Sequence, residues 1–169
     1  MEPVTAEATT EETSQAAHGE TPWLTPCEMR AWRGYMDGNQ RLMEVLNREL
    51  QDSHDLSLAD YRILVMLSES ADGSLRMSDL ADGVLSSRSR LTHQIRRMES
   101  QGIVVRDTCV EDGRGVLARI TEEGRRRLAE AAPTHVAGVR NNLVDLLTPQ
   151  ELDVLADVFE KVDKAIGER

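Results

Sequence analysis

Little in this chain could hold a redox centre, a structural metal or a catalytic constellation. Its two cysteines, Cys27 and Cys109, lie too far apart in sequence to make a redox motif by spacing. Four histidines, His18, His54, His93 and His135, are scattered without the spacing of a zinc site. No G-x-S-x-G elbow, Walker loop or dinucleotide fingerprint occurs. These absences point away from an enzyme and imply no cofactor. Aromatic residues make up only 3% of the chain, so aliphatic side chains and seven methionines must do most of the packing. No run approaches the ~20 apolar residues of a membrane span. The N-terminus carries neither the basic region nor the apolar region of a secretory signal. A cytoplasmic protein with no membrane partner is expected.

What remains is one domain, or a core plus a tail, in 169 residues of 40% hydrophobic content. The net charge of −10 argues against binding a polyanion until its distribution is considered. Residues 1–25 hold five glutamates and no lysine or arginine, half of the excess. Residues 86–97 hold four arginines and no acid. A local cationic patch on an acidic protein can bind DNA while the remaining surface limits nonspecific adhesion.

Residues 1–24 are rich in Glu, Thr and Ala, lack a hydrophobic period and read as a disordered acidic tail. Thr25-Pro26-Cys27-Glu28 is a helix start: a capping hydroxyl, a proline suited to the first turn and a glutamate that completes a capping box. That helix is predicted to run to about Asp52, with Trp32, Tyr35, Met36, Leu42, Met43, Leu46 and Leu50 on its apolar face. Ser57-Leu58-Ala59-Asp60 starts a second helix, and Thr121-Glu122-Glu123 a long one on which Leu128, Val136, Val139, Leu143 and Leu147 recur. Pro133 should kink the long helix. Thr148-Pro149-Gln150-Glu151 repeats the first starting device and opens a last amphipathic helix containing Leu152, Leu155, Phe159, Val162 and Ile166.

The stretch 76–119 organises the rest. It reads as a short helix, a turn, a longer helix and a hairpin tipped by EDGRG, with residues 75–77 as a short third strand. On the longer helix, from about Ser87 to Gln101, Leu91, Ile95 and Met98 share one apolar stripe. At ~100° per residue, Ser89, Thr92, His93, Arg96 and Ser100 project to the other side, flanked by Arg90 and Arg97. Cations and short hydroxyls without a carboxylate suit phosphate oxygens and base edges in a major groove. Arg114 sits at the hairpin tip, where a long cation can reach a minor groove or a backbone phosphate.

Asp112-Gly113-Arg114 followed by Ile120-Thr121-Glu122-Glu123-Gly124 resembles the wing pattern D-x-R and closing L-T-x-x-G of the MarR family of winged helix-turn-helix regulators, here with Ile for Leu. Ser87 to Thr92 resembles that family's recognition-helix start, and Leu80-Ala81 and Met98 to Ile103 also match. The resemblance covers about residues 26–169. It implies a mainly α fold with a small β-hairpin wing and dimerisation helices at both ends. The expected division is an acidic tail (1–24), a dimerisation helix (25–54), a winged helix-turn-helix region (55–120) and C-terminal dimerisation helices (121–169). The implied function is a homodimeric, sequence-specific DNA-binding regulator, a repressor on inverted-repeat double-stranded DNA. Ser87, Arg88, Ser89, Arg90, Thr92, His93, Arg96, Arg97 and Arg114 are the DNA-contact candidates, with Asp112 orienting the tip. The family commonly responds to small aromatic ligands, for which Trp32, Tyr35, Tyr61 and Arg62 are candidate lining groups, although core packing explains the first three at least as well. Two alternatives stand beside this reading. One is a thiol-based redox regulator using Cys27, which sits in a first helical turn where the helix dipole lowers a thiol pKa. The other is a winged-helix protein–protein adaptor.

Overall fold

The computed structural model describes residues 22–108 and 115–167. In chain order the elements are α1 (Pro26–His54), α2 (Leu58–Glu69), β1 (Ser74–Arg76), α3 (Met77–Gly83), α4 (Arg88–Ser100), β2 (Val104–Thr108), β3 (Val116–Ile120), α5 (Glu122–Asn142), a 3-10 turn (Val144–Leu146) and α6 (Pro149–Gly167). The fold is mainly helical with one small antiparallel sheet in the order β1-β3-β2. The expected acidic tail, apart from its last residues, and the hairpin tip with Asp112 and Arg114 lie outside the described residues, as does Cys109.

Two units divide between Tyr35 and Met36. In the first, Thr25 and Glu28 form the reciprocal pair read from the sequence. The Thr25 backbone N–H donates to Glu28 Oε2 at 2.7 Å, and the Glu28 N–H donates to Thr25 Oγ1 at 3.3 Å. Those bonds hold the Glu28 carboxyl below its ordinary pKa. Trp32 and Tyr35 follow one another on α1, their ring centroids 6.1 Å apart.

The second unit holds the core. Leu50 and Leu56 meet Ile63, Leu64 and Leu67 of α2, Leu80 of α3, Leu91, Ile95 and Met98 of α4, and Ile103, Val104 and Ala118 around the sheet, all without solvent exposure. The stripe read on α4 is therefore its buried side. The apolar periodicity fixes how that helix is rotated, and burial of three large side chains holds it there with about 1.5–3 kcal/mol each. Ser57 caps α2 as expected, with Asp60 completing the box. The third strand is present one residue earlier than predicted, pairing Leu75 with Ala118. Alternate residues of β3 reach the core, as a half-buried strand requires.

Two backbone devices join α4 to the sheet and to α5. Gly102 has φ +73° and closes α4 in a Schellman motif, the Ile103 N–H donating to Met98 O and the Gly102 N–H to Glu99 O. Gly124 in the first turn of α5 lies so close to the Ile103 carbonyl that a Cβ would collide with it. Thr121 caps α5 through the Gly124 N–H and donates its own hydroxyl proton to Gly102 O at 2.7 Å. The T-x-x-G sequence thus docks α5 onto the end of α4.

One expectation for the C-terminal region needs correction. The long helix ends at Asn142, so Leu143 and Leu147 flank a 3-10 turn instead of extending its stripe. Pro133 lies inside that helix, where its missing N–H costs one backbone bond. The Thr148–Glu151 box is present as read, with N–H···O contacts of 2.8 and 3.3 Å. α6 buries none of its residues within this chain. Val154, Val158, Val162 and Ile166, four residues apart, form an exposed apolar row.

Candidate nucleic-acid interface

The site is built on α4. Ser87 caps it, its Oγ accepting from the Arg90 N–H at 3.3 Å. With Leu91, Ile95 and Met98 turned into the core, Ser89, His93, Arg96 and Ser100 occupy the exposed centre of the opposite side. The two flanks differ. Arg88 and Thr92 face β3, where with Arg76, Ser78, Gly115 and Val116 they line a cleft of about 300 Å³ between the helix and the base of the hairpin. Arg90, Gln94 and Arg97 face α2.

The carboxylates that meet α4 are already engaged. Glu99, the one acid within α4, receives Arg106 Nε at 2.9 Å and Nη2 at 2.7 Å. That hydrogen bonding, aided by the charges of Arg106 and Arg96, holds its pKa below the ordinary value. Asp60 is buried on α2 and accepts from the Ser57 hydroxyl at 2.6 Å, Gln94 Nε2 at 3.1 Å and Arg97 Nη2 at 2.6 Å on both oxygens. By contrast, Arg88, Arg90 and Arg96 form no ion pair with any described residue. Three guanidinium groups on the exposed side and flanks of α4 therefore have no ion-pair partner among the described residues.

The sequence-derived candidates separate into groups. Ser87, Arg88, Ser89, Arg90, Thr92, His93 and Arg96 all sit on the exposed face or flanks of α4. Thr92 donates its hydroxyl proton to Arg88 O at 2.7 Å, so it offers an outside group only its lone pairs and methyl. Arg97 has a partner that periodicity did not reveal: it is tied to Asp60 and joins α4 to α2. Asp112 and Arg114 lie outside the described residues. Tyr61 is buried with its ring 4.5 Å from that of His135 on α5, whereas its neighbour Arg62 is exposed beside α4. Those two adjacent residues thus have separate surroundings. Cys27 is exposed in the first turn of α1, and no further feature marks it as reactive. Sequence reasoning missed Arg76 and Ser78 beside Arg88, because only the folded hairpin brings them together.

Among the described residues, no group of acidic, histidine and cysteine side chains could hold a metal ion, and no helix is long and apolar enough to cross a membrane.

Comparison with known proteins places this geometry. The sequence model of the MarR family matches residues 56–116, from the loop before α2 into β3. AbsC, a MarR family transcriptional regulator from Streptomyces coelicolor, is 42% identical, and the match covers 88% of this chain and 100% of AbsC with a TM-score of 0.84. The chain belongs to the MarR family. Sco3205, a MarR family regulator from the same organism solved in complex with DNA, is 38% identical over 85% of this chain and 94% of its own, with a TM-score of 0.83. The regulator MhqR of Bacillus subtilis is 23% identical over 109 residues, 64% of this chain and 73% of MhqR. The MarR relatives are transcriptional regulators and not enzymes, and this chain is a transcriptional regulator of the same family.

Proposed function

We propose that this MarR family member is a homodimeric, sequence-specific DNA-binding repressor that reads an inverted repeat with α4. The observation that carries the reading is the set Arg88, Arg90 and Arg96, without ion-pair partners among the described residues, on the exposed side and flanks of a helix whose rotation is fixed by the core. Arginine pairs bidentately with guanine O6 and N7, and His93 and Ser89 add short polar groups at the centre of the same face. The Sco3205 complex with DNA supports the assignment by relationship. Repression follows from occupancy, since a protein covering promoter DNA excludes polymerase without further contacts.

The dimer is supported by the row Val154, Val158, Val162 and Ile166 on α6, which this chain leaves exposed. A two-fold axis would bury the same row from each copy and present two recognition helices about one duplex turn apart. In this division residues 25–54 and 121–169 serve dimerisation and residues 55–120 serve DNA. No observation on the described residues favours an aromatic ligand or a Cys27 switch.

Selection of bound fragments from random duplex DNA tests the proposal. Enrichment of an inverted repeat with half-sites about ten base pairs apart, bound by two copies, is expected. Enrichment of no sequence, at an ionic strength where binding is measurable, would refute sequence-specific recognition.

A further inference from the structure

The side of α4 away from the hairpin holds a second cleft, of about 170 Å³, between α2 and the turn that precedes α4. Arg62 of α2 and Arg90 of α4 both line it, with Gln94 and Ser86. No carboxylate lines it, and neither arginine has an ion-pair partner among the described residues. Gln94 gives one amide N–H to Asp60, which leaves the second available. Ser86 Oγ is buried and has no hydrogen-bond partner among the described residues, so its proton is an unspent donor on a residue that lines the cleft. The nearby acid, Asp60, is already neutralised by Arg97. Two arginines, the second Gln94 N–H and the Ser86 hydroxyl belong to residues lining one small space that no carboxylate lines, a composition suited to an oxyanion.

We propose that this cleft seats a backbone phosphate of the DNA strand on the α2 side of the groove, with Arg62 as its principal contact outside α4. The inference rests on the DNA-binding reading above and adds a phosphate site to it. A helix lying in a major groove ~12 Å wide has one phosphate backbone along each flank. The hairpin-side flank meets one strand at the cleft containing Arg88 and Arg76. The Arg62–Arg90 cleft occupies the equivalent place on the other flank and meets the opposite strand. Held from both sides, α4 would be fixed in depth and register, which is what phosphate contacts contribute.

The test uses the full-length protein and its selected operator. Arg62→Gln, a change at an exposed residue, is expected to weaken specific and random duplexes by the same factor, roughly five- to tenfold at low salt, and to reduce the slope of log affinity against log salt by about one per seat. Scanning the operator with single methylphosphonates, which remove one phosphate charge at a time, should find a position that weakens the wild type and is silent in Arg62→Gln. If wild-type binding is intact but the slope is unchanged and no such position exists, the seat is overturned while the DNA-binding reading stands. If inorganic phosphate at constant ionic strength protects the wild type but not Arg62→Gln against heat, and the DNA slope is unchanged, the cleft serves a free anion and the proposal fails. Absence of any duplex binding by the wild type would instead remove the underlying reading.

Discussion

Replacing Arg97 by methionine tests how α4 is held. The substitution keeps the aliphatic stem and removes the guanidinium whose Nη2 lies 2.6 Å from both Asp60 oxygens. A charge-assisted hydrogen bond contributes about 1.5–3 kcal/mol, and orphaning a fully buried charge costs about 3–5 kcal/mol. Two features place the loss toward the lower end. The Arg97 side chain is 53% exposed, so water screens the pair, although the Asp60 side chain is only 3% exposed. Ser57 and Gln94 also continue to donate to Asp60 after Arg97 is gone. The expected destabilisation is about 2 kcal/mol, a fall in Tm of roughly 4–8 °C for a chain of this size. Denaturant unfolding at fixed protein concentration measures it, since the stability of the proposed dimer would depend on concentration. A cycle with Asp60→Asn should show the two changes coupled by about 1 kcal/mol or more, because they break one contact. If Arg97→Met unfolds within about 0.5 kcal/mol of the wild type yet loses DNA affinity, Arg97 belongs to the DNA contacts and the tie to α2 is not made in solution.

Four further outcomes are expected. Leu85, at φ +54° and 85% exposed, occupies the left-handed position that closes α3, so Leu85→Gly should relieve strain without losing packing and raise stability by about 0.5–1 kcal/mol; a loss would show hidden contacts. Ser86→Ala removes a buried hydroxyl that has no partner and should leave the DNA-free protein as stable or up to about 1 kcal/mol more so, whereas a loss above that size would reveal a bound partner. Burial lowers the His135 pKa against an opposing pull from Glu49, so its neutral form stabilises the fold fully above the unfolded value near 6.5, a contribution lost as pH falls through the folded value; His135→Gln should flatten stability over that acid window, and an unchanged profile would contradict the assignment. Val158→Glu on the exposed α6 row should shift the protein toward monomer in light scattering and weaken operator binding with it, and an unchanged dimer would place the interface elsewhere.

Local patterns carried most of the fold. Capping residues at Thr25, Ser57, Thr121 and Thr148 mark helix starts because their hydrogen bonds span only three residues. The α4 stripe and the returning strand were legible for the same reason: period and turn chemistry are properties of neighbours in sequence. Long-range pairing was not. Arg97 and Asp60 are 37 residues apart, and on a helical wheel Arg97 falls beside Arg96 as another outward cation. Only the packing of α2 against α4 separates their roles. Tyr61 and Arg62 are adjacent, and the sequence grouped them, but successive helical positions point about 100° apart, one toward His135 and the other beside α4. The end of α5 was overread because Leu143 and Leu147 continue its apolar rhythm, whereas the backbone tightens into a 3-10 turn there.

These pairings change how the cations of α4 should be counted. Four arginines lie between Ser86 and Arg97, but one is neutralised by a buried aspartate, leaving three per chain. In a two-fold dimer the paired helices would bring six. If all six met phosphates, they alone would contribute a salt slope of about −5. An arginine that reads guanine releases no phosphate counterion, so it contributes to discrimination between sequences and not to that slope. On the proposed DNA-binding reading, Arg96, near the centre of the exposed side, would read a base, while Arg88 and Arg90, on the two flanks, would meet the backbones. The helix would then separate the two kinds of recognition by angle around its axis. Its acidic surroundings sharpen the distinction, because a protein of net charge −10 gains little from a duplex except where the unpaired guanidinium groups meet it.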